Sequence, residues 1–306
     1  MDKNIFAGIP NLPQSKELEL SDRDALHRLL RGYGPTTSEM TFTNLFAWGR
    51  TNPVRVGRID ETVLFWRDAP EGGILLSPIG VLDGAGVEQA LAWSQSLGGR
   101  AEFGRINEAE VEMLLAASPD LRVAEDRDSF DYVYRAEDLR KLEGRRYAGK
   151  RNQIKKFRRM TENPDFWAIT DKLVPECMVM QDMWCDIKAC EENPNLDAED
   201  TAVKVVLEHW KDLDLIGGAL FDGERMLGFS VAERLADDVA VIHFEKADGN
   251  IPGVYQALNQ MFCEAMLSDF VWINREQDLG VEGLRQAKLS YQPAHLVKKY
   301  TVSKSE

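Results

Sequence analysis

Two short polar runs carry the residue types that acid–base chemistry needs. His243-Phe244-Glu245-Lys246-Ala247-Asp248 closes one apolar run, and Asn274-Arg275-Glu276-Gln277-Asp278 follows another at 270–273. A carboxylate at Glu245 or Asp248 can take the proton of an attacking amine. Asn274 and Glu276 are two residues apart, so they face one side of any strand that continues through them. That places the second run to contact an amino group or an acceptor. The plainer alternatives are a solvated strand end for the first run and, for the second, a loop whose Asp278 caps the next helix. Farther on, Arg285, Lys288 and Tyr291 recur at intervals of three, which makes Arg285 and Lys288 neighbours on a helix. Core packing with a satisfied hydroxyl is the plainer reading of Tyr291.

A third feature is a matter of charge. Residues 140–159 hold ten Lys and Arg against one acid, Glu143, in a chain whose net charge is −14. A dense positive element on an acidic protein selects a negative ligand and orients it. Lys150, Arg151 and Lys155 are its candidate ligand contacts, and the amide of Asn152 adds a directional one. If the segment is helical from about residue 145, Tyr147, Ile154 and Phe157 fall within roughly 80° of one another and can dock it on the protein. The competing reading is a solvated linker helix whose charges meet the acidic surface.

Bulk composition bounds what can position these residues. The 306 residues suffice for two domains, and 44% hydrophobic with 29% charged content describes a globular chain. No run approaches eighteen apolar residues, which gives no transmembrane helix. The N-terminal stretch has no charged start followed by an apolar run, so it reads as no secretory signal. Four cysteines form no CxxC pair. Reduced thiols in a cytoplasm follow, with Cys177 and Cys185 packed among Met178, Met180, Met183 and Trp184. No histidine spacing suggests a metal site, and no Ser-His-Asp set or Gly-rich nucleotide loop occurs. The acidic balance argues against a general DNA-binding protein.

The periodicities predict two αβ units on either side of the basic segment. In the first, helices are expected at 22–32 (N-capped by Ser21), 44–48, 87–97 and, capped by Asn107, to about 117. Strands are expected at 54–59, 62–67, 73–78, 102–106, 121–125 and 132–135. In the second, a strand at 166–170 precedes helices at about 175–190 and from Asp197 or Asp200 to about 211. Strands at 216–221, 226–232 and 238–244 follow, with Asp222-Gly223 as a hairpin turn. A helix to about 268, a strand at 270–274, a helix at 281–290 and a last strand at 296–302 complete it. The expected boundaries are 1–136 for the first domain, 137–162 for a basic linker helix, and 163–306 for a second domain carrying the site.

The order of the second unit resembles an N-acyltransferase domain. The segments KRNQIKKF (150–157), INREQDLG (273–280) and LRQAKLSYQP (284–293), with SEMTFTNLFAW (38–48), resemble the family named for the C-terminal domain of bacterial phosphatidylglycerol lysyltransferases, in its membrane-free members. The resemblance implies an α/β (α+β) fold of two tandem GNAT-like domains, each a mixed, mainly antiparallel sheet flanked by helices. It also implies transfer of an amino acid from an aminoacyl-tRNA donor to an amine or hydroxyl acceptor: a small molecule, a peptide or a lipid headgroup. No further cofactor is required. Lys288 and Tyr291 then lie near the donor site, and Lys288 meets a terminal phosphate. For a tRNA acceptor end the basic segment neutralises backbone phosphates, and binding is salt-sensitive.

Acetyltransferases hold the CoA pyrophosphate on a Gly-rich loop at a helix N-terminus. The corresponding stretch here, Ala247 to Val254, keeps two glycines but sets Asp248 where an anion is repelled. Acyl-CoA is therefore the alternative donor, and an RNA- or anionic-surface-binding protein without catalysis is the third reading. A cytoplasmic location is expected, with a peripheral place at the inner membrane face as its variant.

Overall fold

The structure is a computed structural model that describes Phe6 and residues 8–304. Part of the N-terminal stretch considered above as a leader lies outside the described residues. The chain forms two compact units. The first runs through Asp131 and takes in Gln277–Gly280 and the chain from Val297 on; the second comprises Tyr132–Glu276 and Val281–Leu296.

The first unit contains β1 (Lys16–Glu17), α1 (Arg23–Tyr33), α2 (Phe42–Trp48), β2 (Val54–Ile59), β3 (Thr62–Arg67), β4 (Ile74–Leu75), α3 (Gly84–Ser96), β5 (Glu102–Ile106), α4 (Glu108–Ala117) and β6 (Arg122–Glu125). Local chemistry sets most of these boundaries. Asp60 adopts φ 50° in the two-residue turn that joins β2 to β3, where Ile59 faces Thr62. Asn107 and Glu110 form a reciprocal capping box at the start of α4. Ser21 does not cap α1; it lies in a 3-10 turn, Leu20–Asp22, whose cap is Glu19. Leu64, Leu75, Val87, Leu91, Phe103, Ile106 and Leu114 fill the core.

The second unit contains β7 (Asp131–Arg135), α5 (Ala136–Lys141), α6 (Ala148–Met160), β8 (Pro164–Ala168), α7 (Val174–Lys188), α8 (Pro194–Glu208), β9 (Leu215–Asp222), β10 (Arg225–Ala236), β11 (Val239–Ala247), α9 (Val254–Ala265), β12 (Trp272–Asn274), α10 (Glu282–Leu289) and β13 (His295–Val297). Its sheet runs β13-β7-β12-β11-β10-β9-β8, with β11 and β12 parallel. From β8 on, strand, two helices, three antiparallel strands, helix, strand and helix reproduce the GNAT-like order. Along β11, Glu245 reaches Asn259 of α9, while Lys246 reaches Trp184 of α7 and Glu199 of α8. Successive side chains of a strand point to opposite faces, so α9 covers one face of the sheet and α7 with α8 the other.

Four expectations need correction. The last strand, expected whole at 296–302, is two strands. β13 closes the second sheet, and β14 (Tyr300–Ser303) returns to the first sheet between β5 and β6. The cause is Lys299, fully buried in the first unit, where its Nζ meets Glu39 at 2.6 Å and Asp131 at 2.7 Å. Burial would raise the Glu39 carboxyl, but Lys299 and Arg105 hold it down at about 2. Ser38 donates to Asp131 from both its backbone N and its hydroxyl, each at 2.8 Å. Conversely β7, expected to finish the first domain, pairs with β12 in the second sheet. The domain boundaries therefore differ from a division at 136 and 163.

The basic segment, expected as a linker, belongs to the second unit: Tyr147, Ile154 and Phe157 are buried as a docking stripe. The thiols also differ from the reduced state expected. Ala189 ends α7 in a left-handed turn, and Cys185 and Cys190 form a disulfide across it, while Cys177 and Cys263 are free and buried.

Candidate active site

The site grows from an interruption in the second sheet. Along β10 and β11, Val231 faces Phe244 but Ala232 faces Ile242, so His243 is the extra residue of a β-bulge. β12 pairs with β11 only from Val239 to Val241. Beyond Val241 no described strand covers that edge of β11, and its backbone groups there lack a strand partner. What stops β12 is local. Asn274 Oδ1 accepts a 2.8 Å hydrogen bond from the N–H of Glu276, which is held at φ 55°. Asn and Asp favour such turns because the side chain bonds the backbone two residues on.

Strands β7, β10 and β11, helices α6, α9 and α10, and the segments after β12 and α10 supply the side chains of this fork. Arg275, just after β12, places Nη2 2.5 Å from Glu245 Oε2, and Asn259 of α9 donates to Glu245 Oε1 at 3.0 Å. The Arg275 guanidinium lies 4.8 Å from the Tyr291 ring centroid and 5.8 Å from that of Tyr134. From α6, Lys150 Nζ sits 3.8 Å from the Tyr291 centroid. Lys288 of α10 is buried; its Nζ donates to the Arg275 carbonyl, and its own carbonyl accepts from the Tyr134 hydroxyl at 2.8 Å. His243 is clamped at 2.8 Å on each side, Nε2 by Glu233 and Nδ1 by Glu276.

Burial tunes these groups in different directions. It would lower the His243 imidazole, but the hydrogen bonds that the ring donates to Glu233 and Glu276 lift it to about 10, so the ring is a fixed cation. Burial pulls the Lys150 ammonium down to about 8, and the charge of Arg275 adds to the effect. Burial pushes the phenols of Tyr134 and Tyr291 above their ordinary range. The thiols of Cys177 and Cys263 go up to about 12, far from a nucleophile's range.

The structure thus gathers Glu245, Asn274, Glu276, Lys150, Lys288 and Tyr291 around one fork. Other predicted residues fall elsewhere. Asp248 pairs with Arg225 at 2.5 Å and accepts from the N–H of Asn250 at 3.0 Å, closing the turn after β11. Arg225 also lines a cavity of about 380 Å³ with Met180, Met183 and Met226. Asp278 bonds Arg127 and the N–H of Gly280 and does not cap α10, whose N-cap is Val281. Arg151 donates to the carbonyls of Leu142 and Gly144, tying down the turn between α5 and α6. Arg285 is half-buried, one turn before Lys288 on α10, and Asn152 and Lys155 are exposed on α6. His243, Glu233, Arg275, Asn259 and Tyr134 complete the fork and were not singled out from sequence. For His243 and Arg275 the signal was their place inside the two polar runs; Tyr134 was hidden by its assignment to the other sheet.

Two properties of α6 bear on the donor. Arg140, Lys141, Arg146 and Arg151 bond groups of the protein, whereas Arg145, Lys155, Lys156, Arg158 and Arg159 are exposed with no ion pair among the described residues. The α6 backbone also lies against the start of α9. Gly253, the N-cap of α9, has φ 84°, and a Cβ there would stand 2.1 Å from the carbonyl oxygen of Gln153. The α6 backbone thus packs directly against the residue that opens α9, the helix start that in acetyltransferases receives a pyrophosphate.

No described helix is long and apolar enough to cross a membrane. The family model described as phosphatidylglycerol lysyltransferase, C-terminal, matches residues 30–303. A solved conserved protein of unknown function from Bacteroides thetaiotaomicron is 28% identical, with 95% of this chain and 99% of that chain covered and a TM-score of 0.88. The structure of L-PGS from Bacillus licheniformis is 15% identical over 95% of this chain and 94% of that one, with a TM-score of 0.65, a likeness of fold. No curated protein matches the chain.

Proposed function

The chain belongs to the phosphatidylglycerol lysyltransferase C-terminal family, and from that premise we propose an aminoacyltransferase that takes its amino acid from aminoacyl-tRNA and delivers it to an amine or hydroxyl acceptor at the fork of β11 and β12. The observation that carries the choice of donor is the seat of α6. Its backbone crowds the start of α9 at Gly253, which narrows the usual cradle of a CoA pyrophosphate, and with Arg145 just before it the helix presents five exposed bases to a longer polyanion.

In this reading the ester carbonyl lies against the uncovered edge of β11, where free N–H groups and the fixed cation at His243 stabilise the developing oxyanion. Glu245, oriented by Arg275 and Asn259, takes the proton of the attacking group. Asn274 and Glu276 act by position: the first shapes the turn that ends β12, and the second holds His243. The new bond forms at the carbonyl carbon as the ester bond to the tRNA ribose breaks, and the ribose oxygen leaves with a proton. Holding two reactants aligned suffices for such a step, without a covalent enzyme intermediate.

Equilibrium binding separates the donors. Aminoacyl-tRNA should bind in a salt-sensitive manner, and acetyl-CoA should leave the melting temperature unchanged. Stabilisation by an acyl-CoA, with no binding of any charged tRNA, would replace this reading with a conventional N-acyltransferase.

A further inference from the structure

The corner of the fork at Tyr291 holds positive charge that the protein does not balance. Two cations share the ring, Lys150 Nζ at 3.8 Å and the Arg275 guanidinium at 4.8 Å from its centroid. Arg275 gives Nη2 to Glu245, but its Nη1 is buried with no hydrogen-bond partner. Lys150, half-buried, has no carboxylate within ion-pair distance among the described residues. Around the fork, Glu233, Glu245 and Glu276 stand against Lys150, Arg275, Lys288 and a protonated His243, which leaves one positive charge in excess. Like charges near enough to act on one another, with a buried N–H unmade, are an arrangement that an anion completes.

We propose that this corner binds the carboxylate of a small α-amino-acid acceptor, one oxygen on Arg275 Nη1 and the other on Lys150 Nζ. Three points favour a carboxylate over a phosphate. Two donors match two oxygens. One excess charge matches a monoanion. The neighbouring Glu233–His243–Glu276 set, net negative, repels a dianion. The length of the acceptor follows from Arg275 itself, which spans Glu245 through Nη2 and the anion through Nη1. An amine beside Glu245 is therefore only a guanidinium's width from the carboxylate, which suits an α-amine. The role as acceptor rests on the aminoacyl-transfer reading above; the carboxylate site does not. In the transfer, the α-amine loses a proton to Glu245 and forms the amide C–N bond as the ester C–O bond breaks, and the proton ends on the ribose oxygen.

The test is calorimetric titration of the full chain with a panel of amino acids, their amides and dimethyl phosphate at constant ionic strength. The wild type is compared with Lys150→Gln and Lys150→Arg, each checked for an unchanged melting temperature. At least one acid should bind, with its amide weaker by about tenfold or more, the loss expected for one charge-assisted hydrogen bond. Lys150→Gln should lose a similar factor and Lys150→Arg should retain most of the affinity. Equal binding of acids and amides, binding of dimethyl phosphate alone, no binding by any acid, or an unaffected Lys150→Gln would each overturn the proposal. Charged-tRNA consumption, measured separately, keeps the two readings apart. Acid-selective binding without consumption upholds the carboxylate site and removes the aminoacyl reading; consumption without acid selectivity does the reverse.

Discussion

Replacing Gly253 with Ala strikes the contact on which the choice of donor rests. The residue has φ 84°, and its added Cβ would meet the Gln153 carbonyl oxygen at 2.1 Å, the Gln153 carbonyl carbon at 2.7 Å and Phe157 Cβ at 3.3 Å. The left-handed backbone alone costs an alanine about 1–2 kcal/mol. The clash is with backbone, which cannot swing aside, so α6 must shift at the ordinary cost of overpacking, about 1–3 kcal/mol. The sum is about 3 kcal/mol, or a fall in melting temperature of about 6–12 °C for a unit of this size. Gly249→Ala is the control: a Cβ there meets nothing within 4 Å, and the change should stay within about 0.5 kcal/mol. Thermal unfolding followed by circular dichroism reads both, and hydrogen exchange should show faster opening of the α6 amides in the Gly253 variant. A Gly253→Ala protein that melts within about 2 °C of wild type would mean that α6 is not seated on α9, and the argument against a CoA donor would lose its basis.

Three further outcomes follow from other parts of the molecule. His243 is raised from 6.5 to about 10, so its contribution is fully present below pH 6.5 and is lost as pH rises through about 10. The stability gap between wild type and His243→Gln in urea should therefore shrink from pH 6.5 toward 10, and a constant or widening gap contradicts the clamp. Lys299→Met strands Glu39 and Asp131 in the first unit and should cost about 3–5 kcal/mol. Because Glu39 is held down at about 2, its contribution is present above its unfolded value near 4.5 and is lost as pH falls through about 2. The stability gap between wild type and variant should therefore be widest above pH 4.5 and narrow as pH falls toward 2. Changing Lys155, Lys156, Arg158 and Arg159 together to Gln should leave the fold intact, since all four are exposed. The slope of log K against log salt for tRNA binding should fall by about 3; an unchanged slope would make those bases a solvated face.

What was legible in the sequence was local. The turn at Asp60-Glu61, the cap at Asn107 and the stripe Tyr147, Ile154 and Phe157 announce themselves through short-range chemistry and the structure realises each, while the hairpin expected at Asp222-Gly223 turns one residue later, at Gly223-Glu224, with Asp222 paired to Arg225. The charge run pointed to Lys150, the polar run after residue 273 to Glu276, and the family resemblance to Lys288 and Tyr291, and the fold brings all four to one fork. What was hidden depends on partners distant in the chain. Nothing in residues 296–302 reveals that Lys299 is buried against Glu39 and Asp131, which splits an apparently continuous strand between two sheets. Spacing cannot reveal that His243 is a bulge either, because the bulge exists only relative to the register of β10. Arg151 and Asp248 carry the right charges for ligand contacts and are instead used to close turns. Residue type sets what a side chain can do, but only the fold shows whether its hydrogen bonds are already taken.

The most direct measurement is a single-turnover reaction of the protein with a pool of tRNAs carrying labelled amino acids, together with candidate amine acceptors and, in parallel, labelled acetyl-CoA. The account predicts that label leaves tRNA for at least one amino acid and appears in amide linkage on the acceptor. It further predicts that Arg275→Lys, which disturbs the orientation of Glu245 while keeping the charge, slows this step by at least about tenfold, and that acetyl-CoA yields no product. Charged tRNA that decays only at its uncatalysed rate, or acetyl transfer to the same acceptors, would contradict it.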